Sequence, residues 1–189
     1  MKRVVVTVAV LALAAFAVWL VATGRIAPTS EGAPAGDGAP AAPATGDAAA
    51  GGIPVPADAE PMTVASVHDG DTLNLRDATG RVETVRIIGV DTPEIYPEYE
   101  CFGDEATAEL ERLAPVGSTL RVTTDDDPFD DYDRLLLYLW NDDDVFVNLA
   151  LVEGGFAEAI RVAPNDAYFD ELRAAEDAAA RAGLGMWSC

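Results

Sequence analysis

The stretch "MTVASVHDGDTLNLRD", residues 62 to 77, decides the fold. Its two halves, "MTVASVH" (62–68) and "DTLNLRD" (71–77), alternate as paired half-buried strands do, and Asp69-Gly70 between them is a strong hairpin signal. The same turn, "HDGDT" (68–72), sets two carboxylates around one glycine. Asp71 can therefore be a turn residue, a ligand, or both.

Working outward, "RVETVRIIGV" (81–90) reads as a third strand entered through the turn "DATG". A loop rich in proline and acids, "DTPEIYPEYECFG", follows it. "DEATAELERLAP" reads as a helix: Ala106, Leu110 and Leu113 share a face, Asp104 and Glu105 suit its positive N-terminus, and Pro115 stops it. "TLRVTT" (119–124) and "RLLLYLW" (134–140) are the fourth and fifth strands, separated by the acidic loop "DDDPFDDYD". "NLALVEGG" is a short helix ended by glycines. "NDAYFDELRAAEDAAARAG" is a longer helix, with Asn165 or Asp166 as its cap and Gly183 as its end. Five short antiparallel strands with a helix inserted after the third predict a mainly β, α+β domain. Its architecture is a five-stranded OB-type Greek-key barrel with three helices.

Ahead of this domain lie two appendages. Lys2 and Arg3 precede an uncharged apolar run at 4–23, so residues 1–25 read as a signal peptide or an N-terminal membrane anchor. The run is long for a signal-peptide core, and its length favours the anchor. Residues 26–60 are almost entirely Ala, Pro, Gly, Ser and Thr and read as a disordered linker, because they lack the apolar surface to offset ordering entropy. The domain is then 61–189, and either reading of the N-terminus exports it, to the cell surface or beyond.

From Pro61 onward there are 17 Asp and 11 Glu against nine Arg and no Lys, a net charge of −19. Such a surface suits concentrated salt, where self-repulsion is screened within about 3 Å at 1 M. The two cysteines, Cys101 and Cys189, lie in the exported part, where disulfides persist. They are expected to pair and so tie the chain end to the loop before the first helix.

"GVDTPE" (89–94) directly follows the third strand. Asp91 leaves the sheet, Thr92 precedes a proline and so prefers extended backbone, and Glu94 follows. With Asp71 after the first turn, Arg86 inside strand three and Arg134 opening strand five, acids and arginines converge. Singly, each has a structural reading: a polar strand exit, or the solvent side of a half-buried strand. His68 reads as a structural strand histidine, and Trp140 and Trp187 as core.

Together, "VHDGDTLNL", "VRIIGVDTPE", "FGDEATAEL", "YDRLLLYLW", "FVNLALVEGGFA" and "AEDAAARAGLGMW" resemble, in colinear order, the staphylococcal nuclease-like (thermonuclease) family over about 62 to 187. The resemblance implies a Ca²⁺-dependent phosphodiesterase acting on DNA and RNA, with no obligate protein partner. Carried over by position, Asp71 and Asp91 would give carboxylates to calcium and Thr92 its backbone carbonyl. Glu94 would orient or deprotonate the attacking water, Arg86 and Arg134 would clamp the scissile phosphate, and Tyr132 would sit beside it. The residue types suit that chemistry, since calcium takes hard oxygen ligands and a guanidinium fork matches phosphate.

The chain also departs from the family pattern. "YDR" stands where the family usually has "YGR", and Asp131 stands at an often basic position. Ile160 and Val162 stand where the best-known member has two tyrosines at the nucleotide pocket, with Arg161 as a possible compensation. The alternative reading is a catalytically silent OB module that binds nucleic acid or protein. Against it, silent copies are expected to lose ligands or clamps, and Asp71, Asp91, Glu94, Arg86 and Arg134 are all present.

Charge alone generates one prediction. Between 0.1 and 3 M KCl at fixed free calcium, folding by circular dichroism and cleavage of single-stranded DNA should rise together, because salt screens the −19 domain from itself and from a polyanion. Activity that falls steadily from 0.1 M with the fold intact would refute salt adaptation.

Overall fold

The computed structural model describes residues 52–189; the expected N-terminal segment 1–25 and linker residues 26–51 lie outside the described residues. In chain order the elements are β1 (Glu60–Val67), β2 (Thr72–Arg76), β3 (Val82–Ile87), β4 (Val90–Asp91), α1 (Gly103–Leu113), β5 (Thr119–Thr123), β6 (Leu135–Trp140), α2 (Val147–Glu153), β7 (Glu158–Ala159) and α3 (Phe169–Ala182). A 3₁₀ turn, Gly185–Ser188, follows α3.

β1, β2, β3, β6 and β5 close, in that order, into a barrel, so the expected five-stranded OB-type architecture with three helices is present. Its interior is filled by Leu73, Leu75, Val85, Ile87, Leu120, Leu137 and Leu139, all buried. One pairing differs from the all-antiparallel expectation: β3 and β6 run parallel, with Arg86 opposite Leu136. A closed ring with an odd number of strands cannot alternate direction all the way round, so one parallel seam is unavoidable.

The third strand is also shorter than 81–90. β3 stops at Ile87, the chain turns through Gly89 at φ +80°, and Val90–Asp91 pair instead with Ala159 and Glu158 of β7. Glycine suits 89 because of the positive φ, and a Cβ there would also displace the Leu172 Cδ1 methyl on α3, 2.6 Å away. This break takes Asp91 out of the barrel ladder.

Two further expectations are corrected. Residues 53–60, assigned to the linker, are ordered: Ile53 and Val55 pack on the core, and the buried Trp140 donates its Nε1–H to the Ile53 carbonyl at 2.9 Å. The apolar pair in an otherwise Ala/Pro/Gly-rich stretch explains the earlier start. The α3 N-cap is Tyr168, without a side-chain cap, and not Asn165 or Asp166. Asn165 is buried and spends its amide elsewhere, on Asp127. The expected Cys101–Cys189 disulfide is formed, with Cα atoms 6.3 Å apart and the two cysteines 88 positions apart in sequence.

The hairpin turn is built for close approach. His68 and Asp69 donate their N–H groups to the Thr72 carbonyl, and Gly70 is buried under Thr92 and α1. A Cβ at Gly70 would stand 2.7 Å from Thr92 Oγ1 and 2.9 Å from Ala106 Cβ. We therefore expect Gly70→Ala to destabilise the domain by roughly 1–3 kcal/mol through overpacking. Urea denaturation at fixed salt measures it, and a change below a few tenths of a kcal/mol would contradict this packing.

Candidate active site

Four segments meet at one edge of the barrel: the β1–β2 turn, the end of β3, the exit from β4, and the loop before β6. Asp71 comes from the turn, is only 6% exposed, and has both carboxylate oxygens engaged. Oδ1 accepts from Thr72 Oγ1 at 3.0 Å, and Oδ2 accepts from the Thr92 N–H at 3.1 Å and Thr92 Oγ1 at 3.2 Å. The Asp71 carbonyl also accepts from the Ile87 N–H. Thr92, held extended before Pro93, is thereby latched to the turn.

Arg86 organises the other side. Its Nη1 donates to the carbonyls of Ile87 at 2.9 Å and Val90 at 2.6 Å. Its Nη2 lies 2.8 Å from Asp91 Oδ1 and 3.1 Å from Asp71 Oδ2. Arg86 is thus not the solvent-side strand arginine of the structural reading: its guanidinium is half-buried and bridges two carboxylates. The two acids expected to be metal ligands therefore face a common cationic centre.

Burial pushes the Asp71 carboxyl above its usual range, outweighing the opposing pull of Arg86 and the Thr92 N–H. Glu94 is exposed, and its carboxyl is also raised, first by partial burial and then by the negative charges of Asp71, Asp69, Asp91 and Glu100. Buried Asp71 and exposed Asp91 offer oxygen donors of the kind a hard divalent cation takes. Among the described residues no cluster of three or more His, Cys, Asp or Glu side chains is disposed to hold a metal. The ligands expected from the resemblance are two carboxylates, Asp71 and Asp91, and the Thr92 carbonyl.

Arg86 also lines a cavity of about 210 Å³ that it shares with Arg134. Leu136, Ile160, Val162, Asp130 and Asn165 complete much of the wall. The aliphatic residues found at the expected tyrosine positions do face this cavity. Arg161 does not line it: its guanidinium pairs with Asp166 at 2.5 Å and lies over the Phe169 ring. Tyr132 is 81% exposed, with the Arg134 guanidinium over its ring, 5.5 Å from the centroid.

Two contributors escaped sequence reasoning. Asp130 accepts the Arg134 Nε–H at 2.6 Å and the Arg134 and Tyr132 backbone N–H groups at 2.9 Å each. In "DDDPFDDYD" nothing distinguishes it from its neighbours except its spacing of four from Arg134. Asn165 accepts the Asp127 N–H and donates to the Asp127 carbonyl, both at 2.8 Å, joining the acidic loop to the approach to α3. Asp133 has φ +61°, a left-handed conformation that explains why glycine suits this position of "YDR".

The family described as staphylococcal nuclease homologue matches this chain over residues 84–189. The chain is 35% identical over 131 residues to a thermonuclease of Staphylococcus intermedius, covering 68% of this chain and 76% of that protein. It is 32% identical over 135 residues to a thermonuclease of Staphylococcus hyicus, covering 70% and 78%. With the SPbeta prophage-derived endonuclease YokF of Bacillus subtilis it shares 31% over 130 residues, covering 67% of this chain but only 44% of that longer protein.

Asp130 generates a pH prediction. Burial raises its carboxyl, but the Arg134 backbone N–H, the Arg134 guanidinium and the Tyr132 N–H outweigh that and hold it below the usual range. A depressed folded-state pKa gives stability that is present above the unfolded value, near 4, and is lost as pH falls through the folded value. In urea melts at 2 M KCl, the parent should therefore exceed Asp130→Asn at pH 7 and converge with it as pH falls below the ordinary aspartate range and through the depressed folded-state value. A constant gap across that range would contradict the ion-pair assignment.

Proposed function

The chain belongs to the staphylococcal nuclease family, and from that premise we propose that it is a calcium-dependent nuclease hydrolysing phosphodiester bonds of DNA and RNA. The observation that carries the reading is the double placement of Arg86. One guanidinium both bridges the Asp71–Asp91 carboxylate pair and lines a cavity with Arg134. A phosphate entering that cavity would meet two guanidinium groups next to a cation-binding oxygen cluster.

In this reading Asp71, Asp91 and the Thr92 carbonyl would hold calcium, which would supply Lewis acidity toward phosphorus. Glu94 accepts the proton of the attacking water. Its raised carboxyl makes it a better base than a free glutamate. Arg86 and Arg134 hold the non-bridging oxygens and offset the charge that develops on them. Asp130 orients Arg134 through Nε, which leaves its two Nη groups for substrate. Tyr132 stands at the exposed rim.

Ile160 and Val162 offer aliphatic contact where a base would stack, which supports weak base discrimination. The same reading takes the protein to be an exported monomer, tethered by its N-terminal segment or released after cleavage. Support for export and for a salt-rich habitat comes from the sequence: the apolar run at 4–23 and the lysine-free acidic domain.

The test is cleavage of single-stranded DNA and RNA with calcium, abolished by a chelator. Asp71→Asn should lower kcat by about 10²-fold or more with the circular dichroism spectrum retained, as removal of a charge-stabilising group typically does. Arg134→Lys should lower kcat by a comparable factor, because a point charge cannot reproduce the fork. Near-full activity in Arg134→Lys would show that Arg134 is not a phosphate clamp.

A further inference from the structure

We propose that Glu100, locked in place by the adjoining Cys101–Cys189 disulfide, is a positioning residue for Glu94. The proposal rests on the reading of Glu94 as the general base. It explains how an exposed loop keeps that carboxylate aimed at the site.

Residues 94–100 close on themselves through two hydrogen bonds between the same two residues. The Glu100 N–H donates to the Glu94 carbonyl at 2.8 Å, and the Glu94 N–H donates to Glu100 Oε2 at 2.9 Å. Little else in the loop is anchored: Tyr96 is 81% and Tyr99 62% exposed, and Pro97, Glu98 and Glu100 are exposed as well. Only Ile95 is half-buried, against Gly103, where a Cβ would come within 2.8 Å of Ile95 Cγ2. Buried Pro93 and the close approach of Gly103 to the Glu94 carbonyl, 2.9 Å from where a Cβ would stand, fix the chain on one side of Glu94. On the other side the Glu94–Glu100 pair closes the loop, and its position depends on what fixes Glu100.

Three features hold Glu100. Its carbonyl accepts the Gly103 N–H at 3.2 Å, just ahead of α1. The next residue, Cys101, is covalently joined to Cys189. The chain end that carries Cys189 is itself seated: the Met186 N–H donates to the Gly155 carbonyl at 2.9 Å, and a Cβ at Gly155 would lie 2.4 Å from the Leu184 carbonyl oxygen. Phe102 adds a ring contact to Phe156, with centroids 5.5 Å apart. The C-terminal side of the loop is thus tied to the folded body through Glu100 and the adjoining disulfide, while its N-terminal side is tied through Thr92 and Pro93.

The bond that matters is a backbone N–H to a carboxylate oxygen, so an uncharged acceptor can replace it. Glu100→Ala should lower kcat about tenfold with KM changed less than twofold, and Glu100→Gln, which keeps an acceptor oxygen, should recover most of the loss. Cys101→Ser/Cys189→Ser, assayed well below its own melting temperature, should lower kcat severalfold with KM unchanged. Hydrogen exchange of the full chain without substrate or metal is the second measurement: Glu100→Ala and the double serine variant should speed exchange in the 94–100 peptide while leaving barrel peptides unchanged. Unaltered exchange in that peptide would overturn the proposal. So would Glu100→Ala with kcat within twofold of the parent, or Glu100→Gln as impaired as Glu100→Ala. A Glu94→Gln variant as active as the parent would overturn the general-base reading instead, and it is distinguishable because the exchange arm does not depend on activity.

Discussion

Arg86 satisfies two backbone carbonyls and two carboxylates with one guanidinium, and the architecture of the site follows from that. The bonds to Ile87 and Val90 span the point where β3 ends and the chain turns through Gly89. Without a donor there, two carbonyls at the strand exit would lose their partner, at roughly 1–3 kcal/mol for each group left buried and unsatisfied. The other half of the fork balances Asp71, which sits almost wholly out of water. A buried carboxylate and a half-buried guanidinium are each costly alone and tolerable together. The strand exit and the acid cluster are therefore one unit, and neither can be repositioned without the other.

That unit is surrounded by close approaches that admit only small residues. Gly70 lets the β1–β2 turn lie against Thr92 and Ala106, and Gly89 lets α3 lie against the β3 exit. These contacts bring residues 21 positions apart, Asp71 and Thr92, into hydrogen-bonding distance. Rigidity at the carboxylate pair contrasts with the loop that carries Glu94, which is exposed and held by a few specific links.

The acidic surface and the basic site pull in opposite directions. Seven of the nine arginines in the domain make ion pairs, and most acids have no such partner. Arg86 and Arg134 are cationic groups facing one cavity within a strongly anionic domain. At low ionic strength the long-range field opposes a polyanion, and in molar salt only groups within a few ångströms act on it. Local chemistry and global charge are thus separable by salt.

Much of this was legible in the sequence. Alternation around Asp69-Gly70 marked the first hairpin, apolar periodicity marked the helices, and the colinear motifs carried the barrel and the set Asp71, Arg86, Asp91, Thr92, Glu94 and Arg134. The break at Gly89, the parallel β3–β6 seam, and the roles of Asp130 and Asn165 were not legible. Local pattern reports which face a residue turns to the core; it does not report which of several neighbouring acids receives a particular N–H. That choice depends on chain closure in three dimensions. In "DDDPFDDYD" six carboxylates are equivalent by type, and only the fold selects Asp130 for Arg134 and the Asp127 backbone for Asn165. By itself the sequence determined the elements and the kinds of chemistry available. The tertiary structure decided which groups share one guanidinium, because partners far apart in sequence meet only once the barrel has closed.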